Sequence, residues 1–327
     1  MKTDVVVHIG MSKCMSTTLQ NLWFMDDHYA FGSLDEQNTR VEDLIIENNG
    51  NRREVGRLLG LPNTDISVKE GRPNVFSSEG ILNAFNGRPQ VARFNSVKQE
   101  LFAEIFSAQA PRLLIMVRDP LDWLRSIYAQ YIREGGADDF STYVGKNAPF
   151  LKETLNLQKI IKIWASHGYR VVVLPLELSE DWEGFWGLYE RYLEVPRPAS
   201  YRDKLPDVLQ NRTNYDRLSV HKAINRLVGL LVEGAGSNPI TKHEMLDSME
   251  RFRLFGTRAG VDNLSDDLFG ALTGCLHPDG LQDNDQLFDR RLVMKLFGTH
   301  IDKNFVPAAR EFSPHECGPI ISNYSPG

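Results

Sequence analysis

Between Gly10 and Thr18 the chain reads Gly-Met-Ser-Lys-Cys-Met-Ser-Thr-Thr, one lysine among small and hydroxyl-bearing residues. At the junction of a strand and a helix, such a segment meets phosphate or sulfate with backbone N–H groups and the positive end of the helix dipole. Lys13 adds a point charge, while Ser12, Cys14, Ser16, Thr17 and Thr18 line the same turn. The plainer alternative is a turn whose Ser16 or Thr17 only caps the helix. It is not a Walker A loop, because that loop demands glycine directly before the lysine and Ser12 stands there.

A second segment runs Arg118-Asp119-Pro120-Leu121-Asp122-Trp123-Leu124-Arg125-Ser126-Ile127-Tyr128. It sets an arginine at the carboxyl edge of a strand, where ligands of open α/β sheets gather, and a serine two turns into the next helix. Arginine offers a planar fork to a phosphate, and serine a hydroxyl. The alternative is an ordinary pairing of Arg118 with Asp119 or Asp122 at a helix start. Two residues compete as proton acceptor. Glu79, in Phe-Ser-Ser-Glu-Gly, follows a strand, and partial desolvation there would raise its pKa; otherwise it only complements a helix dipole. His28 follows Asp26 and Asp27; it offers the commoner base, or a solvated loop side chain.

These residues need elements to hold them. Residues 4–9 (DVVVHI) form a continuous apolar run, as a strand buried on both faces does. Further strands are expected at 74–77, 112–117 and 169–175. Leu19, Leu22 and Trp23 recur at helical spacing after the loop, Ser78 is placed to cap a short helix, and Pro120 to open the helix over 121–134. The pattern over 153–168 reads as a helix closed by Gly168. Strands alternating with helices predict a parallel sheet with right-handed crossovers. Residues 32–72 and 87–97 read as polar, irregular insertions that shape an acceptor pocket or lid. Beyond residue 200 the chain reads as helices over 215–234, 241–256 and 283–299. The expected organisation is an α/β core over 1–200 and a helical extension over 201–327 packed on the same domain. Trp123, Tyr128 and Tyr131 have the spacing of core packing. The pairs Cys275-x-His277 and His315-x-Cys317 match no standard zinc-site spacing.

Together, the loop of form K-[ST]-x-[ST]-T-x-L-Q and the later R-[DN]-P-x-D-x-x-x-S-x-Y resemble the sulfotransferases that use 3′-phosphoadenosine 5′-phosphosulfate. The resemblance covers about thirty residues: Lys13, Ser16, Thr17, Leu19 and Gln20 in the first stretch, Arg118 and Ser126 at the family's eight-residue separation in the second. It implies a P-loop-like three-layer αβα fold. It also implies that the first loop holds the 5′-phosphosulfate and the second the 3′-phosphate, with adenosine 3′,5′-bisphosphate as product and no metal required. Lys13 becomes the group that stabilises the leaving phosphate, Glu79 or His28 the base, and the acceptor a hydroxyl or amine of a carbohydrate or glycoconjugate. Two positions depart from the family: Met15 stands where Gly or Ala is frequent, and Cys14 where Ser or Thr is usual. The C-terminal segment that closes on the nucleotide has only Asn211, Arg212 and Thr213 as candidates, of which Arg212 is taken as a donor contact. Met15 keeps open a degenerate member that binds nucleotide or glycan without turnover. A nucleotide kinase fits less well, because the Walker A glycine is missing.

Composition sets outer limits. The 327 residues carry 37 basic and 43 acidic side chains, a net charge of −6. Nothing global draws such a chain to nucleic acid or an anionic membrane, so an anionic ligand needs a local site. Three scattered cysteines, Cys14, Cys275 and Cys317, argue against a disulfide framework and for a reducing, cytoplasmic setting. No run of about 18 apolar residues reads as a membrane span.

Overall fold

A computed structural model describes residues 4–61, 67–83, 88–109, 111–199, 222 and 310–312. The chain divides into two compact units, one of residues 1–123, 147–210 and 297–327, the other of 124–146 and 211–296.

The first unit holds the sheet. Strand β1 (Val5–Gly10) is buried along its whole length and runs through the loop into helix α1 (Ser16–Phe24). Next come β2 (Ala30–Ser33), α2 (Asp35–Glu47) and α3 (Arg52–Leu59). Strand β3 (Asn74–Ser78) leads into the single-turn α4 (Glu79–Leu82), then α5 (Asn95–Phe106) and β4 (Arg112–Val117). Helices α6 (Pro120–Arg133), α7 (Phe140–Leu155) and α8 (Leu157–Ser166) precede β5 (Arg170–Pro175), and α9 (Trp182–Leu193) follows it. Near the C-terminus lies β6 (Arg310–Phe312). The spatial order is β2-β3-β1-β4-β5-β6, the first five parallel and β6 antiparallel on β5.

The result is an α/β fold around a five-strand parallel sheet, consistent with three αβα layers. Trp23 of α1 meets Tyr189 of α9, whereas α5 and α8 pack together. Right-handed crossovers through this strand order put those two helix pairs on opposite faces. Val6, Val7, Ile9, Leu113 to Met116 and Val171 to Leu174 are excluded from solvent. Each such side chain contributes about 1.5–3 kcal/mol of burial.

All four expected strands are present, within a residue or so of their expected ends. β2 was not expected: four residues, one of them glycine, give too short an alternation to read. The stretches expected to be irregular are corrected. Residues 32–72 contain α2 and α3, and 87–97 contain a 3₁₀ turn (Pro89–Phe94) and the start of α5. Only Asn38, Val41 and Ile45 of α2 are buried, so its apolar stripe is too thin to stand out among polar neighbours. Asn51 caps α3 by accepting from Glu54 N at 3.3 Å.

Two boundary signals carry through. Asp119 Oδ1 accepts from Leu121 N (2.9 Å) and Asp122 N (3.1 Å), so Pro120 opens α6 directly behind its cap. Gly168 takes the left-handed φ of 87° after α8, with Tyr169 N bonded to Trp164 O. The single helix expected over 153–168 is the end of α7 plus α8, parted at Asn156.

In the second unit, Tyr128 is buried and packs edge-on to Phe140 and beside Tyr143, as its spacing predicts. Its hydroxyl donates to Asp138 O at 3.0 Å, Tyr131 donates to Asp138 Oδ2 at 2.7 Å, and Lys146 pairs with the same carboxylate. The helices expected over 215–234, 241–256 and 283–299, the residues Asn211, Arg212 and Thr213, and the two cysteine–histidine pairs lie outside the described residues. No helix among the described residues is long and apolar enough to cross a membrane.

Candidate functional site

Register brings three loops to one sheet edge. Ile9 pairs with Ser78 on one side and Ile115 on the other, and Gly10 pairs with Met116. The loop after β1 therefore sits between Glu79, just beyond β3, and Arg118, just beyond β4. With strands about 4.8 Å apart, the backbones that carry these two side chains are roughly 10 Å apart. Met11 N donates to Met116 O at 3.1 Å and fastens the loop to β4.

The loop winds tightly. Cys14 N bonds to Met11 O, and Lys13 and Met15 both adopt left-handed backbone, at φ 64° and 66°. Left-handed residues in a tight turn can set backbone N–H groups toward one side, as anion-binding concavities do. Left-handed backbone costs a non-glycine residue about 1–2 kcal/mol, so the loop stores strain at Lys13 and Met15. Gly10 is needed for another reason: a Cβ there would stand 2.5 Å from Ser16 Oγ.

The capping role expected of Ser16 or Thr17 is not made. Met15 is the N-cap of α1 and gives no side-chain bond, so the first N–H groups of the helix lack a cap. Ser16 begins the helix itself, one position too late to cap it. The hydroxyls of Ser16 and Thr17 lie close enough to Glu79 to bear on its carboxyl, and buried Ser16 Oγ makes no hydrogen bond. Burial raises the Glu79 carboxyl above the ordinary carboxylate range and nearby Asp35 adds to the rise; the Lys13 ammonium and the two hydroxyls pull it partly back. Glu79 and exposed Lys13 are thus neighbours across the loop.

Cys14 is fully buried under the same turn, and burial pushes its thiol well above the ordinary range. The Arg118 charge lowers it and those of Glu79 and Glu177 raise it, so these three converge on Cys14. A thiol held protonated is no nucleophile, and Cys14 serves as filling beneath the loop. Ser12 is half-buried in the loop, and Thr18 is buried on α1. Ser126 is buried on α6, within the second unit. Arg212 lies outside the described residues.

His28 is not brought to this site. It follows α1 and precedes β2, at the amino edge of the parallel sheet, opposite the loop. Its Nδ1 lies 2.9 Å from Asp26 Oδ1, and its side chain is 77% exposed. Asp26 also accepts from Ala199 N, so the pair fastens a chain crossing.

Four residues that the sequence did not mark as site candidates bear on the site. Asp35 accepts from Ser78 Oγ at 2.6 Å, and Glu177 accepts from Asp119 N at 2.9 Å. Glu177 follows β5, so the strand-end rule that marked Glu79 and Arg118 would have found it. Asp35 depends on β2, which left no legible signal. His8 is fully buried on β1, with Nδ1 2.8 Å from Ser77 Oγ, which also accepts from Gln20 Nε2 of α1. The fourth, Lys98, lies behind α4. Among the described residues no cluster of three or more His, Cys, Asp or Glu side chains could hold a metal.

The chain matches no protein-family model and no curated protein. The site's chemistry therefore rests on what this chain brings together: a tightly wound loop with one lysine, a guanidinium near it, and a buried carboxyl of raised pKa close to that lysine.

Proposed function

We propose that the protein is a sulfotransferase that moves a sulfuryl group from 3′-phosphoadenosine 5′-phosphosulfate to a hydroxyl or amine of a carbohydrate or glycoconjugate. The observation that carries the reading is Glu79 beside Lys13, Ser16 and Thr17 at the mouth of the loop. A base and a cation on either side of one anion site are what in-line transfer requires. The donor set fits a phosphosulfate: backbone N–H groups, hydroxyls, Lys13, and Arg118 on the far side of β1 for the second phosphate.

The nucleotide, when bound, supplies an activated sulfuryl group on a phosphate leaving group. The chain's residues do the rest. The loop and the uncapped start of α1 hold the anion in place, and Lys13 stabilises charge on the departing phosphate oxygen. Glu79 takes the acceptor's proton as the new oxygen–sulfur or nitrogen–sulfur bond forms. Its raised pKa suits that step, since a base is most effective when its pKa approaches the working pH. Asp35, whose carboxylate accepts from Ser78 and Ser33, adds negative charge near Glu79 and helps to keep its pKa raised.

The test is transfer of radiolabelled sulfate from the nucleotide donor to a panel of desulfated oligosaccharides. Labelled product from the intact protein, absent with Lys13→Ala, is expected. A folded protein that labels no acceptor and releases no adenosine 3′,5′-bisphosphate would overturn the assignment.

A further inference from the structure

Behind the turn that carries Glu79 lies a lysine shut off from solvent. Lys98, on α5, is fully buried, and its Nζ donates to Gly80 O at 2.8 Å, to Asn83 O, and to Glu42 Oε1 at 2.8 Å. Beside it Gln99 donates to Ile81 O, while its own oxygen accepts from Trp164 Nε1 at 2.8 Å. Helix α4 is one turn long, and almost all its carbonyls lack intrahelical partners. Three carbonyls, of Gly80, Ile81 and Asn83, are met from α5 by two adjacent side chains. At the other end Ser78 accepts from Gly80 N and donates to Asp35.

We propose that Lys98 is a positioning residue for the reaction: its buried ammonium fixes the α4 turn so that the Glu79 carboxyl faces Lys13, Ser16 and Thr17. This rests on the reading of Glu79 as the base. Burying a charge is costly unless it is fully paired, and neutral side chains could satisfy the carbonyls of a four-residue turn at far lower cost. The buried cation makes sense as a rigid support, because a base displaced by about an ångström loses much of its rate advantage. Burial pushes the Lys98 ammonium down in pKa and Glu42 pushes it back up, so the charge depends on that pairing. Glu79 itself is faced by Lys13 of the loop, by the α1 hydroxyls and by Asp35 of α2.

The experiment titrates the Glu79 carboxyl by NMR in protein labelled with carbon-13 glutamate, the resonance assigned by its loss in Glu79→Gln. In Lys98→Met the turn is released toward water, and the titration midpoint falls by about half a pH unit or more toward the ordinary carboxylate value. Loss of a nearby cation alone would move it up, so a fall reports altered position. Lys98→Arg restores most of the shift. In parallel, the rate of sulfate release from the nucleotide donor to water drops about tenfold, while affinity for adenosine 3′,5′-bisphosphate stays within twofold. Should Lys98→Met not fold, Gln99→Met, which frees one α4 carbonyl, that of Ile81, together with the Trp164 indole N–H, gives a smaller fall in the same direction. An unchanged or raised midpoint in the folded variants overturns the positioning role. A protein that binds no bisphosphate overturns the sulfotransferase reading instead, and the titration still decides the part played by Lys98.

Discussion

Glu79 works against the stability of its own fold. Its carboxyl is raised above the ordinary value of 4.5, chiefly by burial, so the folded chain holds its proton longer than the unfolded chain does. Below both values the group is neutral in either state and costs nothing. As the pH rises past 4.5 the unfolded chain releases its proton first, and folding loses stability until the folded carboxyl ionises too. Glu79→Gln is therefore expected to melt at a higher temperature than the parent at pH 7, with sulfuryl transfer down by about 10²–10⁴. Differential scanning calorimetry beside a transfer assay checks both, and equal loss of nucleotide affinity would speak against a base. His8 has the opposite sign of dependence. Its imidazole is pushed by burial from 6.5 to about 3, so it stays neutral in the fold. Its contribution is complete above pH 6.5 and is lost as the pH falls toward 3, at roughly 1.4 kcal/mol per pH unit. Urea unfolding at pH 7, 6 and 5 should show that decline in the parent, and a shallower one in His8→Gln. Lys13, Glu79 and Arg118 were legible because each follows a strand end and carries chemistry. His28 was marked by residue type alone, and its place before β2 puts it at the other edge of the sheet.

At the scale of elements, the loop between β1 and α1 carries the site, and its shape is at odds with its residues. Met15 sits at φ 66° where glycine would be free of strain, and it caps α1 with no side-chain bond. Met15→Gly relieves about 1 kcal/mol of left-handed strain, partly offset by the freedom glycine regains in the unfolded chain. The expected outcome is a melting temperature equal to or above the parent's and bisphosphate affinity at least as strong, read by calorimetry. A loss of affinity would mean that the Met15 side chain itself holds the loop in shape. The sequence marked this loop through the switch from apolar run to glycine to helical spacing, but misread its capping. Hydroxyl residues at a helix start suggest caps; only the observed backbone shows that Ser16 falls inside the helix, where its hydroxyl caps nothing. Helices α2 and α3 escaped notice for a related reason: most of their side chains face water, and three buried positions in α2 and one in α3 make faint stripes.

Across the whole molecule, the sheet that aligns these loops has an edge that needs covering. β6 pairs antiparallel with β5 at Val171 to Val173, the most apolar part of that strand, and draws residues 310–312 back to a sheet built from the first 175. Ending the chain at residue 305 would uncover β5 and its backbone groups, and such edges recruit other chains. The truncated protein is expected to sediment as aggregates at concentrations where the full chain stays monodisperse. The sequence reading ended its strands at 175, because three residues far from the rest leave no period to detect. The parallel core was legible, since strands buried on both faces are continuous apolar runs, and the alternation with helices dictates their direction. If the carboxyl edge of the sheet holds the proposed nucleotide with its two phosphate groups, calorimetric titration with adenosine 3′,5′-bisphosphate, beside ADP, will show it. Expected are tight binding of the bisphosphate, weaker binding of ADP, and a loss of about tenfold or more in Arg118→Ala through removal of a charged hydrogen-bond donor. Equal affinity for the two nucleotides, or none for either in a folded sample, would contradict it.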